Sequence, residues 1–232
     1  MVIITIFNNM EELMQNYEKI KSFVKKFSKD DILQIERDDP QYKALERLYD
    51  SLKDKLLFVR LTVINALLSY QLNMKGEKYW NCFADFFSEK RKAEFFPEFL
   101  RCYNYRILNG KLKRYEKVRE VVFCLLRTEN DILYFSRNLD EFLEKLSKLL
   151  NQKKDAKTVV FAVKMFIYAF RVAFDEDIFA PSGIMIPLDS RISKISKDKD
   201  FWRRLEKETG IPLLHIDAIL WLSDNYRLFF DK

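Results

Sequence analysis

Only four glycines and five prolines interrupt 232 residues. A chain so poor in backbone-breaking residues is expected to build long regular elements joined by short turns. The spacing of apolar residues says which kind. Between residues 10 and 28 they fall at Leu13, Tyr17, Ile20, Phe23, Val24 and Phe27, the step of a helix with one buried face. Similar patterning predicts helices over 41–52, 94–108, 112–127, 139–150 and 157–174, and an aromatic-rich helix over 77–88. A turn is expected around Gly110. Residues 54–72 are apolar on most sides, which reads as a central helix buried all round. Asp30 and Asp31 supply capping chemistry for a short helix ending near Arg37. Asp39-Pro40 forces a stop and restart, because the residue before proline avoids helical backbone. Short helices are expected over 190–197 and 201–208, and Gly210-Ile211-Pro212 opens a last one through Asn225. The first seven residues read as a short strand or an arm. Residues 175–188, with Pro181, Gly183 and Pro187, form the longest irregular segment. No repeat is visible. The fold class expected is all-α, in two lobes.

Composition narrows the chemistry. The single histidine, His215, removes any multi-histidine metal site, and Cys82, Cys102 and Cys124 are odd in number and widely spaced. Neither a zinc site nor a disulfide framework is expected, and the default is a reduced intracellular compartment. The first residues lack a basic leader and a cleavage site, and no window reaches a membrane-spanning length. A net charge of +6 and a pI near 9.0 suit a polyanionic partner. The basic groups cluster at 90–92, 111–119, 153–154 and 194–204, and they support DNA binding only if the fold gathers them on one side.

Within this frame, residues 153–193 carry the most suggestive chemistry. Lys157 opens an apolar helix after a short polar turn. A helix N-terminus has unpaired N–H groups and a partial positive charge, which favour a nearby phosphate and lower the pKa of a local amine. A nucleophilic lysine requires that. The plain alternative is one solvated lysine among many. Thirty-two residues on, Asp189 follows Ile-Pro-Leu and precedes Ser-Arg-Ile. Its plain reading is a helix N-cap; a capping carboxylate is also rigidly aimed and can stabilise a cation forming on a sugar. Asp217 and Trp221, four residues apart, share a helix face and, with Trp80, suit a base-binding wall. Core tryptophans and a solvated aspartate are the plain alternative. Phe161 is expected to be buried. Lys164, two turns after Lys157, binds phosphate, tunes Lys157 or is simply exposed.

These residues, read together, resemble a known family. The order helix, hairpin, helix with lysine, loop, Pro-x-Asp resembles the helix-hairpin-helix DNA glycosylase superfamily. Within it the chain is similar to the archaeal GO glycosylases, which are 8-oxoguanine DNA N-glycosylase/lyases. The resemblance rests on residues 36–42, 65–70, 75–80, 157–161, 186–191 and 209–217 running into Leu220-Trp221-Leu222, all in the family's order. It implies two α-helical lobes with a central cleft, one unit over 1–232, and a helix-hairpin-helix near 139–174. It implies Lys157 as nucleophile and Asp189 as catalytic carboxylate. Gln41, Trp80, Phe161, Asp217 and Trp221 are implied around the extruded base, with both tryptophans stacking on it and Gln41 or a backbone carbonyl meeting its N7–H. Lys164 falls on a family lysine close to the site. The chain departs from the superfamily in its hairpin: residues 151–156 contain no glycine, so Lys153 and Lys154 are expected to supply the phosphate contacts.

The activity implied is excision of 8-oxoguanine by a lysine Schiff base, with β-elimination of the strand and no metal or organic cofactor. The implied partner is damaged DNA carrying 8-oxoguanine, duplex or single-stranded, bound by a cytoplasmic, nucleoid-associated monomer with no membrane involved. A non-catalytic helical nucleic-acid-binding module and an all-α protein-interaction domain are the competing readings.

Overall fold

The computed structural model describes residues 15–222. Every regular element among them is helical: α1 (15–24), α2 (Lys29–Arg37), α3 (Pro40–Leu52), α4 (Lys55–Leu68), α5 (Gly76–Lys90), a 3₁₀ turn (Ala93–Phe95), α6 (Phe96–Tyr103), α7 (Leu108–Leu125), α8 (Glu129–Arg137), α9 (Leu139–Leu149), α10 (Lys157–Phe174), α11 (Ile192–Ile195), α12 (Lys199–Thr209) and α13 (Leu213–Leu222). The expected arm and the last residues of the final helix lie outside the described residues. The axis is α4 against α10. Both are apolar nearly all round, α4 being buried from Leu61 to Leu68 and α10 over most of Val159–Ala173. Each fully buried leucine or phenylalanine there contributes roughly 1.5–3 kcal/mol of transfer free energy. On one side of the axis, α4 to α9 form a lobe rich in aromatic contacts. On the other, α2 packs against α13 and α13 against α12, with α3 bridging to α5 and α10.

Helix ends follow the sequence closely. Ser28 and Asp31 form a capping box on α2; Asp39 caps α3 with Pro40 at its first position; Asp54 caps α4. Three expectations fail. The helix expected over 54–72 ends at Leu68, and residues 69–75 leave it. The proposed helix over 94–108 breaks at 104–107, and Gly110 lies inside α7 rather than at a turn. The break is tertiary in origin: buried Asn104 donates to the Leu68 carbonyl at 3.0 Å, and Ile107 takes a left-handed φ of 48°. Helix α8, absent from the expectation, starts on a capping box between Thr128 and Asp131.

Burial of charge joins the two ends of the chain. Glu36 on α2 accepts from Arg171 Nη1 at 2.6 Å and sits 2.8 Å from His215 Nδ1. The Ala180 N–H donates to His215 Nε2 at 2.9 Å, so Nε2 carries no proton and Nδ1 donates to Glu36. Arg171 also donates to the Ile178 carbonyl through Nε and Nη2. The irregular 175–188 segment is thereby pinned by a neutral histidine and an arginine. Burial is the main cause that lowers the His215 pKa, against the attraction of Glu36. In the unfolded chain a histidine takes up its proton near pH 6.5. Below that pH the unfolded state binds more protons than the folded one, so stability falls as the pH drops, by up to about 1.4 kcal/mol per pH unit. The raised carboxylates Asp217 and Asp39 work in the opposite sense as the pH falls, so the comparison isolates the histidine: unfolding titrations between pH 7 and 5 are expected to show the wild type losing stability relative to His215→Gln. Parallel profiles would contradict a neutral His215.

Candidate active site

A cleft of about 140 Å³ opens between the lobes. All eight residues singled out in the sequence line it: Gln41, Trp80, Lys157, Phe161, Lys164, Asp189, Asp217 and Trp221. Lys157 is the exposed first residue of α10, whose N-cap, Ala156, offers no side-chain cap. Asp189 is partly buried. Its Oδ1 accepts the N–H groups of Arg191 and Ile192, both at 2.8 Å. The capping role and the place in the cleft therefore coexist. Trp221 is partly exposed, with the Arg191 guanidinium 3.5 Å from its ring centroid. Trp80 differs: it is only 1% exposed and meets Tyr79, Phe83 and Phe161 edge-on, so most of its surface is spent in the core behind the cleft. Phe161 is half-buried rather than buried: it meets Trp80 on one side and lines the cleft. The Gln41 amide lies over Gly76, with Nε2 3.7 Å from where a Cβ would stand.

The floor is ionic. Lys164 is neither exposed nor available to a phosphate: it is 5% exposed, and its Nζ donates to Asp217 Oδ2 at 2.5 Å. Burial works to lower its pKa, but Asp217, Asp39 and Glu36 together hold it above the ordinary lysine value. Asp217 is buried rather than solvated. Desolvation pushes it up to about 6, Lys164 opposes the rise, and Asp189 and Asp39 add to it. Asp39, 5% exposed, is likewise raised by burial. It accepts the Gln41 N–H at 2.8 Å and the Tyr168 hydroxyl at 3.3 Å. As the pH falls, these carboxylates take up protons first and the ammonium keeps its charge.

The rim beside Lys157 is the turn between α9 and α10. Asn151 takes a left-handed φ of 53°, a position asparagine tolerates better than most residues. The Gln152 N–H reaches back to the Ser147 carbonyl at 2.8 Å and closes the helix. Arg114 of α7 donates to both Gln152 Oε1 and Thr158 Oγ1 at 3.1 Å, tying the turn to the start of α10. Lys153 is exposed. Lys154, expected to reach phosphate, pairs with Glu144 at 2.9 Å, an exposed and therefore weak contact.

Comparison with known proteins gives the chain a family. The sequence model of the AGOG family, described as N-glycosylase/DNA lyase, matches residues 21–227. The chain belongs to that family. Its relatives include the N-glycosylase/DNA lyase of Methanococcus maripaludis, 38% identical over 90% of this chain and 88% of that protein. The corresponding protein of Thermococcus kodakarensis is 42% identical over 80% of this chain and 75% of its own. In three dimensions the chain is similar to Pa-AGOG, an 8-oxoguanine DNA glycosylase from Pyrobaculum aerophilum whose crystal structure holds 8-oxoguanosine. The TM-score is 0.76 at 24% identity, covering 91% of this chain and 88% of that one. The chain thus shares that helical glycosylase fold.

In this AGOG cleft, sequence reasoning missed Asp39, Ser69, Leu72, Glu77 and Arg191. Asp39 was visible only as the residue before proline at a helix restart and, like Ser69, Glu77 and Arg191, as part of a matching stretch. Removing one member of the buried Lys164–Asp217 pair leaves an uncompensated charge. Asp217→Ala is expected to lower the unfolding free energy by about 3–5 kcal/mol, and the double variant Lys164→Met/Asp217→Leu to recover most of that loss in denaturant titrations. An equal loss in the double variant would show that the ion pair is not what the single change disturbs.

Proposed function

We propose that this AGOG protein excises 8-oxoguanine from DNA through a lysine Schiff base and then cleaves the strand by β-elimination. The observation that carries the reading is convergence. An exposed lysine at a helix mouth, a rigidly capped carboxylate and aromatic walls all line one cleft of about 140 Å³. Names of relatives support the N-glycosylase/DNA lyase class, and the likeness to Pa-AGOG makes 8-oxoguanine the base to test first.

The damaged nucleotide leaves the stack at a cost of a few kcal/mol, offset by contacts in the cleft. Phe161 and Trp221 offer apolar faces, and the Gln41 side chain is placed to meet the base edge. Neutral Lys157 attacks the sugar C1′. A bond forms from Nζ to C1′ as the glycosidic bond breaks, its electron pair leaving with the base, which takes up a proton. Asp189 faces the cationic sugar with its free carboxylate oxygen and stabilises the transition state. The sugar ring then opens to an iminium on Lys157. Loss of a C2′ proton expels the 3′ phosphate, and water releases the cut strand. The uncapped first turn of α10, with Lys153 beside it, faces the DNA backbone, so the 139–174 segment serves as the hairpin that grips phosphate. The whole chain acts as one intracellular unit.

Borohydride reduction is expected to trap a covalent adduct between the wild-type protein and duplex carrying 8-oxoguanine. Lys157→Gln is expected to abolish trapping while DNA binding persists. An adduct that survives this substitution assigns the nucleophile to another lysine. Asp189→Asn is expected to slow base release by roughly 10²–10³-fold, the scale of losing one electrostatic stabiliser. Release at the wild-type rate would return Asp189 to capping alone.

A further inference from the structure

Lys111 of α7 is fully buried, yet it pairs with no carboxylate among the described residues. Its ammonium donates to the Asn104 side-chain oxygen and to the carbonyls of Asn104 and Gln71, both at 3.4 Å, and lies 5.2 Å from the Tyr70 ring centroid. Asn104 passes the contact on. Its Nδ2 donates to the Leu68 carbonyl and, at 3.3 Å, to the Tyr79 hydroxyl, which donates to Asn65 Oδ1 at 2.7 Å. Asn73 Nδ2 reaches the Tyr103 carbonyl at 3.4 Å. One buried cation thus gathers the end of α4, the start of α5 and two connecting segments, 69–75 and 104–107. Each segment contains a non-glycine residue in left-handed backbone, Gln71 at φ 46° and Ile107 at φ 48°. Such conformations persist only where the surroundings impose them.

The 69–75 segment is a wall of the cleft. Ser69 and Leu72 line it directly, and Gly76, Glu77 and Trp80 follow. A wall built without a helix or a glycine turn needs something to fix it, and Lys111 holds its backbone at Gln71. We propose that Lys111 is a positioning residue for base capture, holding the 69–75 wall at the spacing that grips an extruded base. The proposal rests on the base-excision reading of the same cleft. Lys111 touches no part of the reaction centre; it acts through Gln71 and Asn104. Its role therefore falls on capturing the base and not on chemistry at the sugar.

Burial pushes Lys111 down to about 8, with Arg106 adding to the shift. As pH rises through that value the ammonium becomes an amine, and three donors fall to two against three acceptors. The other ionisable groups around it are Arg106, Arg114, Tyr70 and Tyr79. The arginines stay cationic throughout, and burial raises both tyrosines. The wall should loosen on the alkaline side, and an arginine at position 111 should remove that dependence.

The test compares two single-turnover reactions on the same protein, below its melting temperature: base release from duplex carrying 8-oxoguanine, and strand cleavage at a preformed abasic site. For Lys111→Met, base release is expected to fall on the order of 10²-fold, the scale of a misplaced contact, with cleavage within about threefold of wild type. For Lys111→Arg, release is expected to recover at least partly and to lose its decline above pH 8. Equal losses in both reactions, or no loss in either, would overturn the proposal. If Lys111→Met fails to fold, Lys111→Arg decides alone: an unchanged alkaline decline rejects the positioning role. A wild-type protein that cleaves abasic sites but releases no 8-oxoguanine would instead sink the base-excision reading, and the proposal with it.

Discussion

Burying an ammonium group in an apolar core requires acceptors that offset its lost hydration, carboxylates first among them. In this fold that requirement falls on Lys164, in the middle of α10, and both ends of the chain meet it. Asp217 comes from α13 and Asp39 from the junction of α2 and α3. The demand repeats one heptad further on, where Arg171 binds Glu36 beside His215. Lys157, Lys164 and Arg171 stand seven residues apart, so they form one cationic stripe along α10. Two of the three are buried and neutralised by distant segments. The first stays exposed at the cleft mouth. The same stripe that closes the fold therefore presents the lysine on which the proposed chemistry depends.

Much of this could be read in the sequence where one local signal sufficed. Long helices with a clean apolar face, such as 139–149 and 157–174, need only their period. Asp30-Asp31 and Asp39-Pro40 announce helix starts, the first because a short carboxylate satisfies N–H groups there, the second because the residue before proline leaves helical backbone. The cleft residues were recoverable because the motifs around them lie in a family order, although they come from five separate stretches. What stayed hidden depends on partners far away in sequence. The break at 104–107 exists because Asn104 binds the Leu68 carbonyl at the end of α4 and Lys111 binds the Gln71 carbonyl just beyond it, and no pattern within 94–125 encodes that. Short α8 declares itself only through Thr128 and Asp131. The isolated histidine gives no hint that it accepts a backbone N–H from Ala180 and pins a loop, and Lys164 looks like any other lysine until Asp217 is placed against it.

Two carboxylates do double service. Asp39 and Asp189 each cap the start of a helix or turn and also line the cleft. Asp189 is held by two backbone N–H bonds to Oδ1, and Asp39 by the Gln41 N–H on one oxygen and the Tyr168 hydroxyl on the other, so neither carboxylate swings freely. A site assembled from caps has little freedom to rearrange, and it suits a chain with very few glycines. The same economy marks the turn before α10, where Asn151 takes the left-handed position that glycine usually fills.

The distribution of the three tryptophans has an optical consequence. Trp202 is fully buried on α12, and its indole N–H donates to the Ser196 carbonyl, away from the cleft. Trp80 and Trp221 both line the cleft, and Trp221 already lies against a guanidinium. On the proposed reading, a purine brought alongside Trp221 would change its emission, while Trp202 would supply a constant background. The protein would then carry a built-in fluorescent gauge of cleft occupancy, one that follows a base in and out without any label on the DNA.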